Sequence, residues 1–267
     1  MVFNSLTFAV FFAIVLLLHS LPFSWRVKKV NLLLASYLFY AAWNPPFIIL
    51  LWISTVVDWW AANRIAQASN PWRRRAWMLT SVCLNLGMLG WFKYGEFLLA
   101  NFQALAATVG IDYQPPAFDI VLPVGISFYT FATMSYTLDV YLRRAEPTPR
   151  MLDFALFVTF FPHLVAGPIM RPTELVPQFE QPRRASMDQL RFGLALMTLG
   201  LFQKVVLADG FLAAPAEQVY DSTMAPGALD AWFGTLAFSG QIFCDFAGYS
   251  TTAIGAAMCL GFAMPDN

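Results

Sequence analysis

Nine stretches of this chain run apolar for a dozen or more residues with almost no charge: 2–21, 31–43, 47–62, 76–92, 120–141, 154–169, 190–208, 231–248 and 251–264. A helix of about 20 apolar residues crosses the hydrocarbon core of a bilayer, and shorter ones need interfacial anchors at their ends. One water-soluble core cannot hide so many such segments. Composition agrees, with 58% of the 267 residues hydrophobic and 12% charged, where soluble domains carry about 25% charged residues. The 26 Phe and 9 Trp suit lipid-facing and interfacial positions. The fold expected is all-α, a polytopic transmembrane helix bundle. Asn44-Pro45-Pro46 forces a tight turn between the second and third segments.

The connections alternate in charge. Arg26, Lys28 and Lys29 follow the first segment, and Arg64, Arg73, Arg74 and Arg75 follow the third, with no acid among them. Residues 93–119 carry one Lys against Glu96, Asp112 and Asp119, and 209–230 carries only Asp209, Glu217, Asp221 and Asp230. Basic connections stay in the cytoplasm, which sets the N-terminus outside. Met1-Val-Phe-Asn has no basic n-region and no small-residue cleavage site follows, so the first segment reads as an uncleaved span. Net charge is zero, which gives no support for a nucleic-acid partner.

Segment 154–169 breaks the alternation. Arg143, Arg144 and Arg150 precede it, Arg171, Arg183 and Arg184 follow it, and Pro162, Gly167 and Pro168 interrupt it. Irregular backbone at membrane depth must be buried in protein or line a wet cavity. A re-entrant element is expected, entering and leaving on the basic side.

Ionisable groups inside apolar segments mark candidate sites. Gln241, Asp245 and Tyr249 recur every four residues and stack on one helical face. They read either as the wall of a polar pocket or as interhelical packing, and Gly248 suggests a helix break beside them. Lys204, with Gln203 beside it and Asp209 five residues on, either snorkels to an interface or pairs with a carboxylate. Asp139 and Arg143 are spaced for an i,i+4 ion pair, and Asp58 reads in the same way. His19 ends the first segment, and His163 lies in the re-entrant stretch with no nucleophile or carboxylate near it in sequence. Cys83, Cys244 and Cys259 match no metal-ligand spacing and read as small buried hydrophobes. No zinc motif, phosphate-binding glycine loop or nucleophile elbow is present, so no metal and no cofactor is expected.

Four runs, LPVGISFYTFATMSYTLDVY (122–141), FFPHLVAGPIMRP (160–172), QKVVLAD (203–209) and QIFCDFAGYSTTAIG (241–255), resemble the alginate O-acetylation branch of the bacterial membrane-bound O-acyltransferases. LLLASYLFYAAWNPPF (32–47) and LNLGMLGWFKY (84–94) fit the same pattern, which is also related to teichoic acid D-alanyl transfer proteins. The resemblance implies a multi-helix protein of the bacterial inner membrane that passes an acyl group from a cytoplasmic thioester, such as acetyl-CoA or an acyl carrier protein, toward hydroxyls of an external polysaccharide such as alginate. It also implies periplasmic partner proteins and histidine general-base chemistry. The candidate polar pocket it supports comprises Gln241, Asp245, Tyr249, Lys204, Gln203, His163 and Arg171. In the family a Trp-Arg-x-Trp-His region and a later Trp-His-Gly region follow the run that resembles GFAMPDN (261–267). Residues 1–267 therefore read as a single N-terminal portion of the domain without the catalytic histidines, and no acyl transfer is expected of them alone. Polar stripes and a re-entrant loop also suit a transporter or flippase component, or a non-catalytic membrane subunit.

Overall fold

The computed structural model describes residues 1–113, 121–165, 167–221 and 226–265. Asp119 and Ile120, Ala166, and Asp266 and Asn267, which enter the sequence readings above, lie outside them. Among the described residues every regular element is helical. The helices are α1 (Leu6–Ser20), α2 (Trp25–Ala41), α3 (Ile48–Gln67), α4 (Pro71–Thr108), α5 (Ile126–Tyr141), α6 (Met151–Thr159), α7 (Pro172–Glu180), α8 (Met187–Leu201), α9 (Ala213–Tyr220) and α10 (Ala228–Cys259). A 3₁₀ turn, Pro45–Phe47, leads into α3, and a π-helical stretch, Phe202–Leu212, joins α8 to α9 without a break. Pro45–Gln67 and Met187–Tyr220 are long and apolar enough to cross a bilayer. The 38 residues of α4 and 32 of α10 give lengths of about 57 and 48 Å, well past the hydrocarbon core.

Polar contacts between helix ends fix the layout. Lys28 Nζ donates to the His19 carbonyl (2.6 Å), Trp59 Nε1 to Thr148 O (2.8 Å), and Arg74 Nη2 to Tyr141 O (2.7 Å). These tie the C-terminal ends of α1, α3 and α5 to the N-terminal ends of α2, α6 and α4. Arg26, Lys28, Arg64, Arg73–Arg75, Arg143, Arg144 and Arg150 thus belong to one end of the bundle. Tyr40 Oη donates to Val124 O (3.1 Å) at the other. The alternation of charge along the sequence becomes, in three dimensions, one basic end.

The segment after α5 enters and returns as expected, using α2 as its ruler. Asp153 on α6 pairs with Lys29 near the start of α2. Phe161 N–H then donates to Ser36 Oγ (3.1 Å), and Trp25 Nε1 donates back to Phe179 O on α7 (2.7 Å). Eleven residues separate Trp25 from Ser36, so the excursion reaches about 16 Å along α2 before returning. The stretch from Phe160 to Leu164 is buried in protein, where an irregular segment has to be. Phe154, Phe157, Phe160, Phe161 and Leu164 are each 1% exposed or less. Phe160 meets Phe262 edge-on at 5.1 Å and Phe161 meets Phe11 at 5.3 Å, contacts worth about 0.5–1.5 kcal/mol each beyond area burial.

Several boundaries differ from the sequence reading. The fourth helix runs on to Thr108 rather than stopping near residue 92, because 96–107 are strong helix formers that outweigh Gly87, Gly90 and Gly95. The acidic 209–221 is mostly helical as well. Gly248 is no break, since α10 passes straight through it. Its missing side chain admits the partner helix instead: a Cβ there would lie 2.6 Å from Gly200 O and 2.8 Å from Lys204 N.

The Asp139–Arg143 ion pair does not form. The last turn of α5 closes with Arg143 N–H on Val140 O (3.2 Å) and Arg144 N–H on Asp139 O (2.8 Å), a Schellman ending with Arg143 in the left-handed region at φ 59°. The chain leaves the helical path at Arg143, so the i,i+4 register is lost. Among the described residues Arg143 is the sole non-glycine at positive φ, at a cost of about 1–2 kcal/mol that glycine would avoid.

Candidate functional site

The most polar cluster within the apolar helices of the C-terminal hairpin centres on Lys204. Its Nζ lies 2.5 Å from Asp245 Oδ1 and 2.9 Å from Asp209 Oδ1, so the ammonium is paired with carboxylates rather than extended alone to an interface. Lys204 and Asp209 are five residues apart, which on an α-helix separates them by about 140° around the axis. The π-helical stretch, with its i→i+5 register, swings them onto one face. Asp245 comes from α10, brought close by the Gly200–Gly248 contact one turn away. The three side chains are one-quarter to one-half exposed, and Phe202, Val205, Ile242 and Phe246, near them in sequence, are exposed as well.

The other predicted pocket residues divide. Gln203 Oε1 is buried without a hydrogen-bond partner among the described residues, and Gln241 sits half-buried one turn before Asp245. Tyr249, one turn after Asp245 on α10, stacks its ring on Phe3 (centroids 4.4 Å apart). His163 is not with them either. Its Nε2 lies 2.8 Å from Phe157 O, and a carbonyl only accepts, so this nitrogen carries the proton and satisfies one of the free carbonyls ending α6. Arg171 is exposed and serves as N-cap of α7, its backbone N–H facing Glu174 Oε2 at 3.5 Å. Of the residues expected from the sequence to share one pocket wall, Lys204 and Asp245 meet with Asp209, and His163 and Arg171 lie elsewhere.

Two buried polar sites, with three ionisable residues between them, differ from the sequence reading. Lys29 and Asp153 form an ion pair with side chains 3% and 2% exposed, although Lys29 reads as one more basic loop residue. Asp58 forms no ion pair among the described residues. Fully buried between α3, α4 and α5, it accepts from Ser81 Oγ (2.5 Å) and Asn85 Nδ2 (2.7 Å), while Ser54 Oγ bonds Asn85 Oδ1 and Thr133 Oγ1 at 2.9 Å each. The signal available was the pair of i,i+4 spacings, Ser54 to Asp58 and Ser81 to Asn85, which put polar side chains on single faces of apolar helices. Among the described residues no three His, Cys, Asp or Glu side chains converge to hold a metal ion.

A bundle that is all-helical among the described residues, with one basic end, a buried re-entrant segment and a charged cluster in apolar helices, defines a polytopic membrane protein. The membrane-bound O-acyltransferase family model matches residues 6–266, and the chain belongs to that family. It is 39% identical over 244 residues to a protein of Pseudomonas aeruginosa described as a probable alginate O-acetylase, AlgI, covering 91% of this chain and 46% of that protein. It is 32% identical over 265 residues to the peptidoglycan O-acetyltransferase of Helicobacter pylori, covering 90% and 49%. A more distant match, 26% over 161 residues, is to the teichoic acid D-alanyltransferase of Bacillus subtilis, covering 57% and 39%. The chain spans about half the length of the curated O-acetylase and O-acetyltransferase relatives.

Proposed function

We propose that this chain is part of an enzyme that moves an acyl group, acetyl by the habit of its relatives, from a thioester donor on the basic side of the bundle to hydroxyls of an extracytoplasmic polysaccharide. The basic end faces the cytoplasm of a bacterial inner membrane and the N-terminus faces the periplasm, where partner proteins complete delivery. The observation that carries this reading is the family match along residues 6–266, with O-acetyl-transferring relatives on two different polymers. In this reading Asp245, Asp209 and Lys204 form a polar contact point for the acceptor, their free carboxylate lone pairs accepting its hydroxyl donors. In this reading residues 1–267 alone do not turn over a thioester: neither of their histidines joins the Lys204 cluster, His163 Nε2 bonding Phe157 O and His19 lying at the end of α1.

Expression in a strain deleted for its own polysaccharide O-acetylase tests the reading, with acetyl ester content of the exported polymer as readout. A protein carrying residues 1–267 followed by the remaining family domain is expected to restore acetylation, and 1–267 by itself is not. Solute flux in proteoliposomes without any acyl donor would favour a transporter instead. Restoration by 1–267 co-expressed with a separate histidine-bearing chain would favour the role of a non-catalytic subunit.

A further inference from the structure

At the basic end, on helices other than those of the Lys204 cluster, the C-terminal turn of α3, the first turn of α4 and the end of α5 enclose a cleft of about 430 Å³. That volume suits a small ligand or headgroup. Arg74, Arg143 and Arg144 line it against one acid, Glu146. Among the described residues none of these four side chains forms an ion pair.

The arginines are set up as donors. Arg74 Nη2 is held by Tyr141 O (2.7 Å) and its guanidinium lies over the Tyr141 ring (5.7 Å), while its buried Nε has no partner. Arg143 occupies the one position of the Schellman ending that favours glycine. A strained, non-glycine backbone at a cleft is the kind of feature retained for function. Trp72, 75% exposed two residues before Arg74, marks this end as a bilayer interface.

We propose that this cleft binds a phosphate group, with Arg143 and Arg144 as its principal donors and Arg74 as a pre-positioned third. Guanidinium forks match phosphate oxygens and bind them through paired, charge-assisted hydrogen bonds. Two sources share this chemistry: the headgroup of an anionic lipid at the interface, and a soluble phosphate ester from the cytoplasm.

The test is thermal unfolding of the purified chain in dodecyl maltoside, followed by tryptophan fluorescence, with short-chain phosphatidylglycerol, phosphatidylcholine or sodium pyrophosphate at matched ionic strength. A stabilising shift with phosphatidylglycerol alone supports the headgroup source, and one with pyrophosphate alone supports a soluble ligand. A shift with both means that the phosphate itself suffices. In each case Arg143→Gly is expected to raise the melting temperature of the ligand-free protein while weakening the probe's affinity about tenfold, the loss of one charge-assisted pair. Arg144→Gln, which leaves the turn intact, weakens binding without the gain in stability. No shift beyond that seen with phosphatidylcholine or matched sodium chloride overturns the proposal, as does a shift that both variants keep undiminished.

Discussion

Replacing Gly248 by alanine tests the packing that assembles the Lys204 cluster. The new Cβ would sit 2.6 Å from Gly200 O, 2.8 Å from Lys204 N and 3.1 Å from Gln203 Cβ. Ordinary carbon–oxygen contact is about 3.3 Å or more, so the overlap with the carbonyl is roughly 0.7 Å. Two of the three obstructions are backbone atoms of the partner helix, which no rotamer change can clear, so α10 and the α8–π helix must part. Overpacking of this kind costs about 1–3 kcal/mol, and the rigid backbone on both sides places Gly248→Ala near 3. Gly87→Ala and Gly90→Ala serve as controls. Both glycines lie within α4 with nothing within 4 Å of a built Cβ, so alanine should gain up to about 1 kcal/mol of helix propensity. Thermal unfolding in detergent should therefore separate Gly248→Ala from either control by about 3–4 kcal/mol. Equal stabilities would refute the close-approach argument, and with it the account of how Asp245 reaches Lys204.

Asp58→Ala removes the acceptor for Ser81 Oγ and Asn85 Nδ2 in a fully buried network. A loss of about 2–4 kcal/mol is expected, and a change under 1 kcal/mol in detergent unfolding would mean that water reaches the site. Lys29→Met or Asp153→Leu alone leaves its partner charged and buried, costing about 3–5 kcal/mol, whereas the double variant recovers most of that. Additive losses in the double-mutant cycle would contradict the pairing. Gly125→Ala forces a side chain onto φ 73° with its Cβ 2.9 Å from Leu164 O. It should lower stability by about 2 kcal/mol or more, and retention of the native melting curve would exclude the tight contact between the start of α5 and the re-entrant segment.

The class of fold was written in the sequence because the bilayer imposes a local rule. Each spanning segment must satisfy its own backbone and be apolar over its own length, so a short window suffices to detect it. The basic end was also legible, since Arg26, Arg64, Arg73–Arg75 and Arg143–Arg144 lie in connections whose alternation needs no knowledge of packing. Pro162, Gly167 and Pro168, between two basic flanks, were enough to mark the re-entrant segment.

Tertiary structure decided everything that depends on a partner from another helix. Gly248 looks like a breaker in one dimension, but it is the site of closest approach between two helices. Lys204 and Asp209 fall on different faces of an α-helix and meet only because Phe202–Leu212 takes the π form. Asp139 and Arg143 have ion-pair spacing, but the chain turns left-handed between them and the contact is lost. Lys29 and Asp58 look like loop or helix-end charges until Asp153, and Ser81 with Asn85, arrive from segments 23 or more residues away. The sequence by itself determined that the chain is a set of apolar helices of a membrane protein, because that depends on each segment's own solvation. Which polar atoms meet inside depended on side chains far apart in the chain reaching within about 3 Å of each other, a condition only the packed fold imposes.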